Sequence, residues 1–341
     1  MKANAGSCKL FFQVMIAVLL FAVMFGQASG ALAGKKVNYE YYAVGNSGNV
    51  DTATSAGLVL MGGSTDVDAA FQWMIGKSGG GDFVVIRATG TDAYNPYIYA
   101  LGTVDSVETI IIKDRTAASD PFVVEKIRNA EALFIAGGDQ YNYVSYWKGT
   151  PVEDAIHYLV TRNVPVGGTS AGLAIMGEFL FSAENNTVDS PTALSDPYGK
   201  RIALDRDFLV LPNMAGIITD SHFAARDRMG RLITFLGRIE QDNWASLAKG
   251  IGIDEQTALL VDPKGSVSLV GNGAAYFLRT PGKPEVCQSR TALTFRNISV
   301  YRISGSGTFN LSKWSGSGGA AYSLSVENGV LTSTQLGGAI Y

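Results

Sequence analysis

The stretch Val164-Pro-Val-Gly-Gly-Thr-Ser-Ala-Gly-Leu-Ala-Ile-Met176 decides the reading of this chain. A short β-like run reaches two glycines, turns at Ser170, and enters an apolar stretch, Ala171 to Phe181, that reads as a helix. A serine on a strand-to-helix turn exposes its oxygen, and the flanking glycines of G-x-S-x-G (Gly168 and Gly172) relieve the crowding of so sharp a bend. The turn also brings backbone N–H groups and a helix N-terminus beside a reacting carbonyl, where they stabilise an oxyanion. Five residues alone fit an ordinary glycine-rich turn equally well. The strand before them and the apolar run after them favour a nucleophile.

Working outward, the same alternation repeats. Gly57-Leu-Val-Leu-Met61, Phe83-Val-Val-Ile-Arg87, Thr109-Ile-Ile-Ile112 and Leu133-Phe-Ile-Ala136 read as strands. Between them, Val67 to Ile75, Pro96 to Leu101 and Pro121 to Ala130 read as helices, with Val152 to Thr161 following. Continuous apolar strands separated by helices indicate a parallel sheet covered on both faces. Ligands of such sheets sit at the carboxyl ends of the strands, and both Gly137-Gly138 and Gly167-Gly168 fall there. Downstream, residues 184–207 form a polar connection long enough to be a lid, a binding loop or a flexible segment. Helical periodicity returns from Phe223 to Ile239, and from Gly250 onward the pattern is β. Residues 281–341 are Gly/Ser-rich with strand-like pieces such as Ser299-Val-Tyr-Arg-Ile303 and read as a β extension.

Composition narrows the class. The chain has 341 residues, 47% hydrophobic and 17% charged, which is a well-packed globular balance and not a disordered one. A net charge of −3 gives no electrostatic case for nucleic acid. At the N-terminus, Lys2 and Lys9 precede an apolar run from Phe11 to Phe25, and small residues follow at Ala28-Ser-Gly30 and Ala31-Leu-Ala33. That is the pattern of a secretory signal peptide over residues 1–33, and the run is shorter than the ~20 residues a membrane span needs. The expected division is therefore a signal peptide at 1–33, a catalytic domain at 34–280 and the β-rich extension at 281–341. The expected destination is secreted or periplasmic, with no membrane association after cleavage. Cleavage would remove Cys8 and leave Cys287 alone, so no intrachain disulfide is available. Cys287 has no histidine near it in sequence and reads as a packed or surface thiol.

A serine needs a base to react at neutral pH, and the chain has two histidines. His157 lies in the amphipathic stretch Val152-Glu-Asp-Ala-Ile-His-Tyr-Leu-Val160 and reads as a structural or surface residue. His222 ends the apolar run Gly216-Ile-Ile-Thr-Asp-Ser-His-Phe223, at a strand end, where a catalytic base belongs. The acid that orients the imidazole is Glu255, Asp254 or Asp220. Successive strand side chains face opposite ways, so one of Asp254 and Glu255 at most faces His222, and the residues alone leave that choice open. On a helix, His222 and Arg226 would share one face and Arg228 and Arg231 another. These arginines fit a solvated helix face or, as forks, substrate carboxylates. Ile75-Gly-Lys-Ser78 looks like the tail of a phosphate-binding loop, but Phe71 stands where the leading glycine is required, so it reads as a helix end.

Together, Ala136-Gly-Gly-Asp-Gln140, Gly167-Gly-Thr-Ser-Ala-Gly172, Thr219-Asp-Ser-His-Phe223 with Arg226-Asp-Arg-Met-Gly-Arg231, and Gly252-Ile-Asp-Glu-Gln-Thr-Ala258 resemble the cyanophycinase branch of the S51 serine peptidases. The resemblance runs over residues 55–280 with the motifs in order. It implies a flavodoxin-like α/β fold, related to class I glutamine amidotransferases, and cleavage at aspartyl residues, including β-aspartyl-arginine units of a poly-aspartate polymer. It implies Ser170 as nucleophile, His222 as base and Glu255 as orienting acid. Gly138 and Ala171 would supply oxyanion N–H groups, and Gln140, Asp220, Arg226, Arg228 and Arg231 would line the substrate site. Asp220 would pair with a guanidinium or amine of the substrate and the arginines with its carboxylates. The implied partner is a peptide; no metal or cofactor is called for, and the oligomeric state stays open, a homodimer included. Cyanophycinases carry Asp-Gln-His where this chain has Asp220-Ser221-His222, which puts one substrate contact in doubt. Two other classes compete. An α/β-hydrolase esterase would order its triad serine, acid, histidine, whereas 119 residues follow His222 here. A non-catalytic exported binding protein on the same fold would use residues 281–341 for adhesion or assembly.

Overall fold

Alternate residues of a strand point to opposite faces of its sheet, and here both faces are covered. Leu58 and Leu60 enter one core, Val59 and Met61 another. A strand hidden on both sides must be apolar throughout, which is why Leu58–Met61, Ala132–Ile135 and most of Asp82–Arg87 are uninterrupted apolar runs. A computed structural model of the chain describes residues 38–46 and 48–341; the signal peptide expected at 1–33 lies outside them. Five parallel strands run in the order Ser106–Ile112, Asp82–Arg87, Ala132–Ile135, Val166–Thr169, Leu58–Met61. Helix Asp68–Lys77 covers one face with Phe71 and Met74. Helices Pro121–Arg128, Gln140–Trp147 and Pro151–Thr161 cover the other. Antiparallel strands on both edges bring this first sheet to 10 strands. The chain has the mixed α/β, parallel-sheet fold expected, with additional strands from its C-terminal part.

A second sheet of eight strands is the larger surprise. Its centre is the parallel pair Ile217–Asp220 and Lys249–Ile253. Helix Met229–Gln241 packs on one face through Leu232, Phe235 and Leu236. The other face, with Ile251, Ile253 and Phe277, shares a core with Leu259, Val261 and Phe309 of the first sheet. Residues beyond 281 join both sheets: Phe295–Ser304, Ala320–Glu327 and Val330–Ser333 extend the second, Thr308–Asn310 and Ser315–Ser317 the first.

The structure departs from the sequence reading at several elements. The helix after Ser170 ends at Ala174, and Phe179–Phe181 is a strand. Phe179 and Phe181 face one core and Leu180 the other, a two-residue period hidden inside an all-apolar run. Gln140–Trp147 is a helix that the sequence reading passes over; Asp139 caps it by accepting the Tyr141 N–H at 2.9 Å, and Tyr143 stacks on Trp147 at 4.3 Å. The 184–207 connection carries a short helix, Ser190–Ser195, and a strand, Leu204–Arg206. The Ile75–Ser78 segment is the end of helix Asp68–Lys77. No helix among the described residues is long and apolar enough to cross a membrane.

Phe277 of the second sheet stacks on Phe309 of the first, centroids 3.8 Å apart and 8° from parallel, with both rings buried. Phe277→Ala empties the middle of the shared core and should cost about 3–5 kcal/mol of unfolding free energy, read from chemical denaturation; a loss under about 1 kcal/mol would mean that the sheets do not depend on this contact.

Candidate active site

Strand Leu58–Met61 runs into Gly62-Gly63, and three successive carbonyls there each hold a different turn. Met61 accepts the Ser170 N–H at 3.1 Å, Gly62 the His222 N–H at 2.8 Å and Gly63 the Gln256 N–H at 3.0 Å. Ser170 follows a strand of the first sheet and His222 a strand of the second. Glu255 sits in the link from Lys249–Ile253 of the second sheet to Thr257–Val261 of the first. All three held residues have positive φ: +53° at Ser170, +48° at His222 and +55° at Gln256. Each such conformation costs about 1–3 kcal/mol and persists only where its surroundings enforce it.

The side chains of these turns meet in a line. Ser170 Oγ is 2.8 Å from His222 Nε2, and His222 Nδ1 is 2.6 Å from Glu255 Oε1. An ionised carboxylate can only accept, so Nδ1 carries the proton and Nε2 is left to accept from the serine hydroxyl. Glu255 is held below the usual carboxyl range chiefly by its hydrogen bond to His222. Burial pushes the His222 pKa down from 6.5, against the raising effect of the Glu255 bond and with help from Arg226 and Arg228. Two glycines make the approach feasible. A Cβ on Gly63 would lie 2.6 Å from the imidazole, and one on Gly172 would lie 2.1 Å from the Ile135 carbonyl oxygen.

Across from Ser170 lies the Ala136-Gly137-Gly138 segment. The buried Tyr143 hydroxyl reaches the carbonyls of Ala136 at 2.9 Å and Gly137 at 3.0 Å, fixing these peptides from below. Gly138 lines the cleft in front of Ser170, and so does Ala171. Ala171 opens the helix after the serine, so its N–H belongs to the amides left without an intrahelical acceptor. Gln140 also lines the cleft, its Nε2 3.4 Å from the Phe181 carbonyl.

The cleft, about 400 Å³, has a charged floor. Here two expectations need correction. Asp220 is expected to meet a substrate cation, but its carboxylate is already filled by a two-point fork from Arg231 (2.7 and 2.5 Å) and by Arg228 at 3.3 Å, with the Ser221 N–H at 2.9 Å. Arg231, in turn, is buried at 2% exposure and directs its Nη1 N–H groups to Thr187 Oγ1 and the Val188 carbonyl. Both residues border the cleft, yet they serve it by joining the strand before His222 to the wall Asn186–Asp189. The helical spacing of His222 and Arg226 also fails. Residues 222–228 form a turn with positive φ at His222 and Asp227, and the helix begins at Met229. Arg226 is exposed at the mouth, its Nε 3.9 Å from Glu255, and Arg228 is partly buried, its pKa brought down to about 10 by burial. Sequence reasoning misses the rim carboxylates Asp139 and Asp189, each a helix cap exposed to the cleft. It also misses Gly63, whose only signal is a Gly-Gly pair after a strand.

The remaining candidates fall elsewhere. His157 Nε2 accepts the Val210 N–H at 3.0 Å, and Cys287 is buried with its thiol pushed up to about 12. Among the described residues, no group of three or more His, Cys, Asp or Glu side chains could hold a metal ion.

An α/β frame that carries a serine on a strained turn, bonded to a histidine and through it to a glutamate, has the arrangement of a serine hydrolase. The model of Peptidase family S51 matches residues 91–268, more than half of the chain, and the chain belongs to that family of serine-type peptidases. It is 28% identical over 183 residues to a cyanophycinase of Geminocystis herdmanii, a match covering 53% of this chain and 61% of that one. It is 26% identical over 172 residues to a cyanophycinase of Synechococcus elongatus, covering 50% and 48%. The chain thus spans about half to two-thirds of the length of these curated relatives. Among solved structures, a peptidase from an acI-B1 actinobacterium aligns at 17% identity and a TM-score of 0.49, over 66% of this chain and 91% of that one.

Two outcomes follow from the charges. The rate constant kcat/KM should fall on the acid side with an inflection below pH 6.5, because protonated Nε2 cannot accept the serine proton. The same depressed value makes the neutral imidazole a stabilising group above pH 6.5, with that contribution lost as pH falls through the folded value; an inflection above about 7 in a pH–rate profile would contradict the burial argument. Asp220→Ala leaves a buried Arg231 unpaired and should cost about 3–5 kcal/mol of stability. Were Asp220 mainly a substrate contact, KM would rise at unchanged unfolding free energy.

Proposed function

We propose that this chain is an exported serine peptidase that cleaves amides at aspartyl residues, of the β-aspartyl-arginine type, through an acyl-enzyme on Ser170. The observation that carries the reading is the unbroken line from Ser170 Oγ through His222 to Glu255, at the mouth of a cleft bordered by both signs of charge.

In this mechanism Ser170 Oγ attacks the amide carbon as its proton passes to His222 Nε2. Glu255 holds the imidazole in orientation and stabilises the imidazolium. The tetrahedral oxyanion forms against the N–H groups of Gly138 and Ala171. His222 then gives its proton to the leaving amine, and water, activated by the same nitrogen, hydrolyses the ester. Arg228 and Arg226 supply positive charge for a substrate carboxylate. With Asp220 engaged by arginines, a cationic leaving group is received by the rim carboxylates of Asp139 and Asp189. The chain order serine, histidine, acid separates this reading from an α/β-hydrolase esterase. Export rests on the leader pattern at 1–33.

A panel of cyanophycin, β-Asp-Arg, other β-aspartyl dipeptides and their α-linked isomers tests the assignment. Wild-type protein should prefer the β-aspartyl-arginine bond, and Ser170→Ala should lose at least about 10⁴-fold in kcat with an unchanged circular dichroism spectrum. Undiminished turnover by Ser170→Ala, or hydrolysis of simple esters alone, would remove this reading.

A further inference from the structure

The seven residues from His222 to Arg228 must keep a turn with two non-glycine residues at positive φ, His222 at +48° and Asp227 at +46°. Such a turn relaxes unless something spans it. From inside, the Phe223 N–H bonds to the Ile253 carbonyl at 3.1 Å, and Asp254 Oδ1 accepts the Ala224 N–H at 2.9 Å. The Phe223 ring lies against Gly252, where a Cβ would come within 2.5 Å of it. From outside, the Ser190 hydroxyl donates to the Asp227 carbonyl, and a second side chain closes the turn from the far end of the extension. The Tyr341 hydroxyl donates to Asp227 Oδ1 at 2.8 Å and accepts the Met229 N–H at 3.0 Å. Its ring meets Phe223 edge-on at 5.9 Å and Tyr276 at 5.7 Å. The preceding residue is itself tied down, the Ile340 carbonyl accepting from Tyr322 at 3.0 Å.

We infer that Tyr341 is a positioning residue for His222: its ring backs Phe223, the residue next to the imidazole, and its hydroxyl joins the end of the histidine turn to the first amide of helix Met229–Gln241. This rests on the reading of His222 as the base. The physical grounds are geometric. Met229 N–H is one of the helix-start amides that need an outside acceptor, and the phenol satisfies it while anchoring Asp227 in its strained conformation. The serine–histidine contact must hold to a few tenths of an ångström for proton transfer. Loosening the turn from which His222 projects therefore lowers turnover more than it lowers binding, because the side chain of Arg228, though on the same turn, is held at the cleft floor by Asp220 and the Ser221 carbonyl, as Arg231 is by Asp220.

The test uses the full chain with the β-aspartyl-arginine dipeptide as substrate. Tyr341→Phe keeps the ring and removes both hydrogen bonds; it should lower kcat by roughly three- to tenfold, with KM within about twofold and the melting temperature nearly unchanged. Asp227→Ala removes the bond the two side chains share, while the Met229 N–H still bonds to the phenol; it should cost part of that loss, and the double variant should be little worse than Tyr341→Phe alone. Asp227→Asn retains an acceptor oxygen and should restore most of the rate. A wild-type kcat in Tyr341→Phe, or a loss that appears solely as lower thermal stability, overturns the inference. Ser170→Ala run alongside separates the two levels. If it turns over like wild type, the triad reading falls and the clamp with it; if it is inactive while Tyr341→Phe matches wild type, the clamp alone falls.

Discussion

Three backbone carbonyls in a row, Met61, Gly62 and Gly63, hold this site together. A strand that ends with unpaired acceptors normally gives them to water or to a capping group. Here each acceptor takes the amide of a turn that arrives from a different part of the chain, and each of those turns sits at positive φ. The strain at Ser170, His222 and Gln256 is local, while the bonds that offset it converge on one strand end. Relative position within the Ser170–His222–Glu255 line is thereby set by the backbone, and the side chains need little conformational search to meet. Gly63 completes the constraint because no larger residue leaves room for the imidazole.

The two-sheet arrangement explains why that strand end can be shared. The parallel strands of the first sheet bring Ser170 to their carboxyl edge, and the parallel pair of the second brings His222 to its own. The link through Asp254-Glu255 crosses from one sheet to the other, so the acid arrives where the two edges face each other. The core between the sheets, with Phe277 stacked on Phe309, fixes their separation. Below the Ser170–His222–Glu255 line, Arg231 makes a second join. Its fork on Asp220 and its bonds to residues 187 and 188 tie the histidine's strand to the opposite cleft wall. A buried ion pair of this kind is costly to break from either side, which suits it to holding a wall in place and leaves it little to offer a substrate. The charged groups of the cleft that keep exposure are Arg226 and the rim carboxylates Asp139 and Asp189.

Much of this could be read from residues in order. Continuous apolar strands with helices between them indicate a parallel sheet because burial on both faces leaves no polar position. The turn at Ser170 is legible because only small residues fit around it, and elimination among two histidines leaves His222. The sequence misleads where one pattern serves two structures. Phe179-Leu-Phe181 continues an apolar run that fits helix or strand, and only its division between two cores decides. His222 to Arg231 has spacing that a helix would use, but backbone bonds at Phe223 and Ala224 hold a strained turn in place of the first helical turns.

The chain by itself therefore determined the parallel-sheet class, most of its first-sheet elements, the turn that carries Ser170 and the family to which they belong, since those depend on local chemistry and short-range pattern. It could not determine which polar groups are spent on one another. Asp220 and Arg231 are 11 residues apart and Tyr341 and Asp227 are 114 apart, while Gly63 and His222 follow strands of different sheets. Pairing at such distances depends on how the sheets pack. Tertiary structure alone decided that Asp220 is occupied, that the cleft's exposed charges are at its rim, and that the extension reaches back to the turn carrying the histidine.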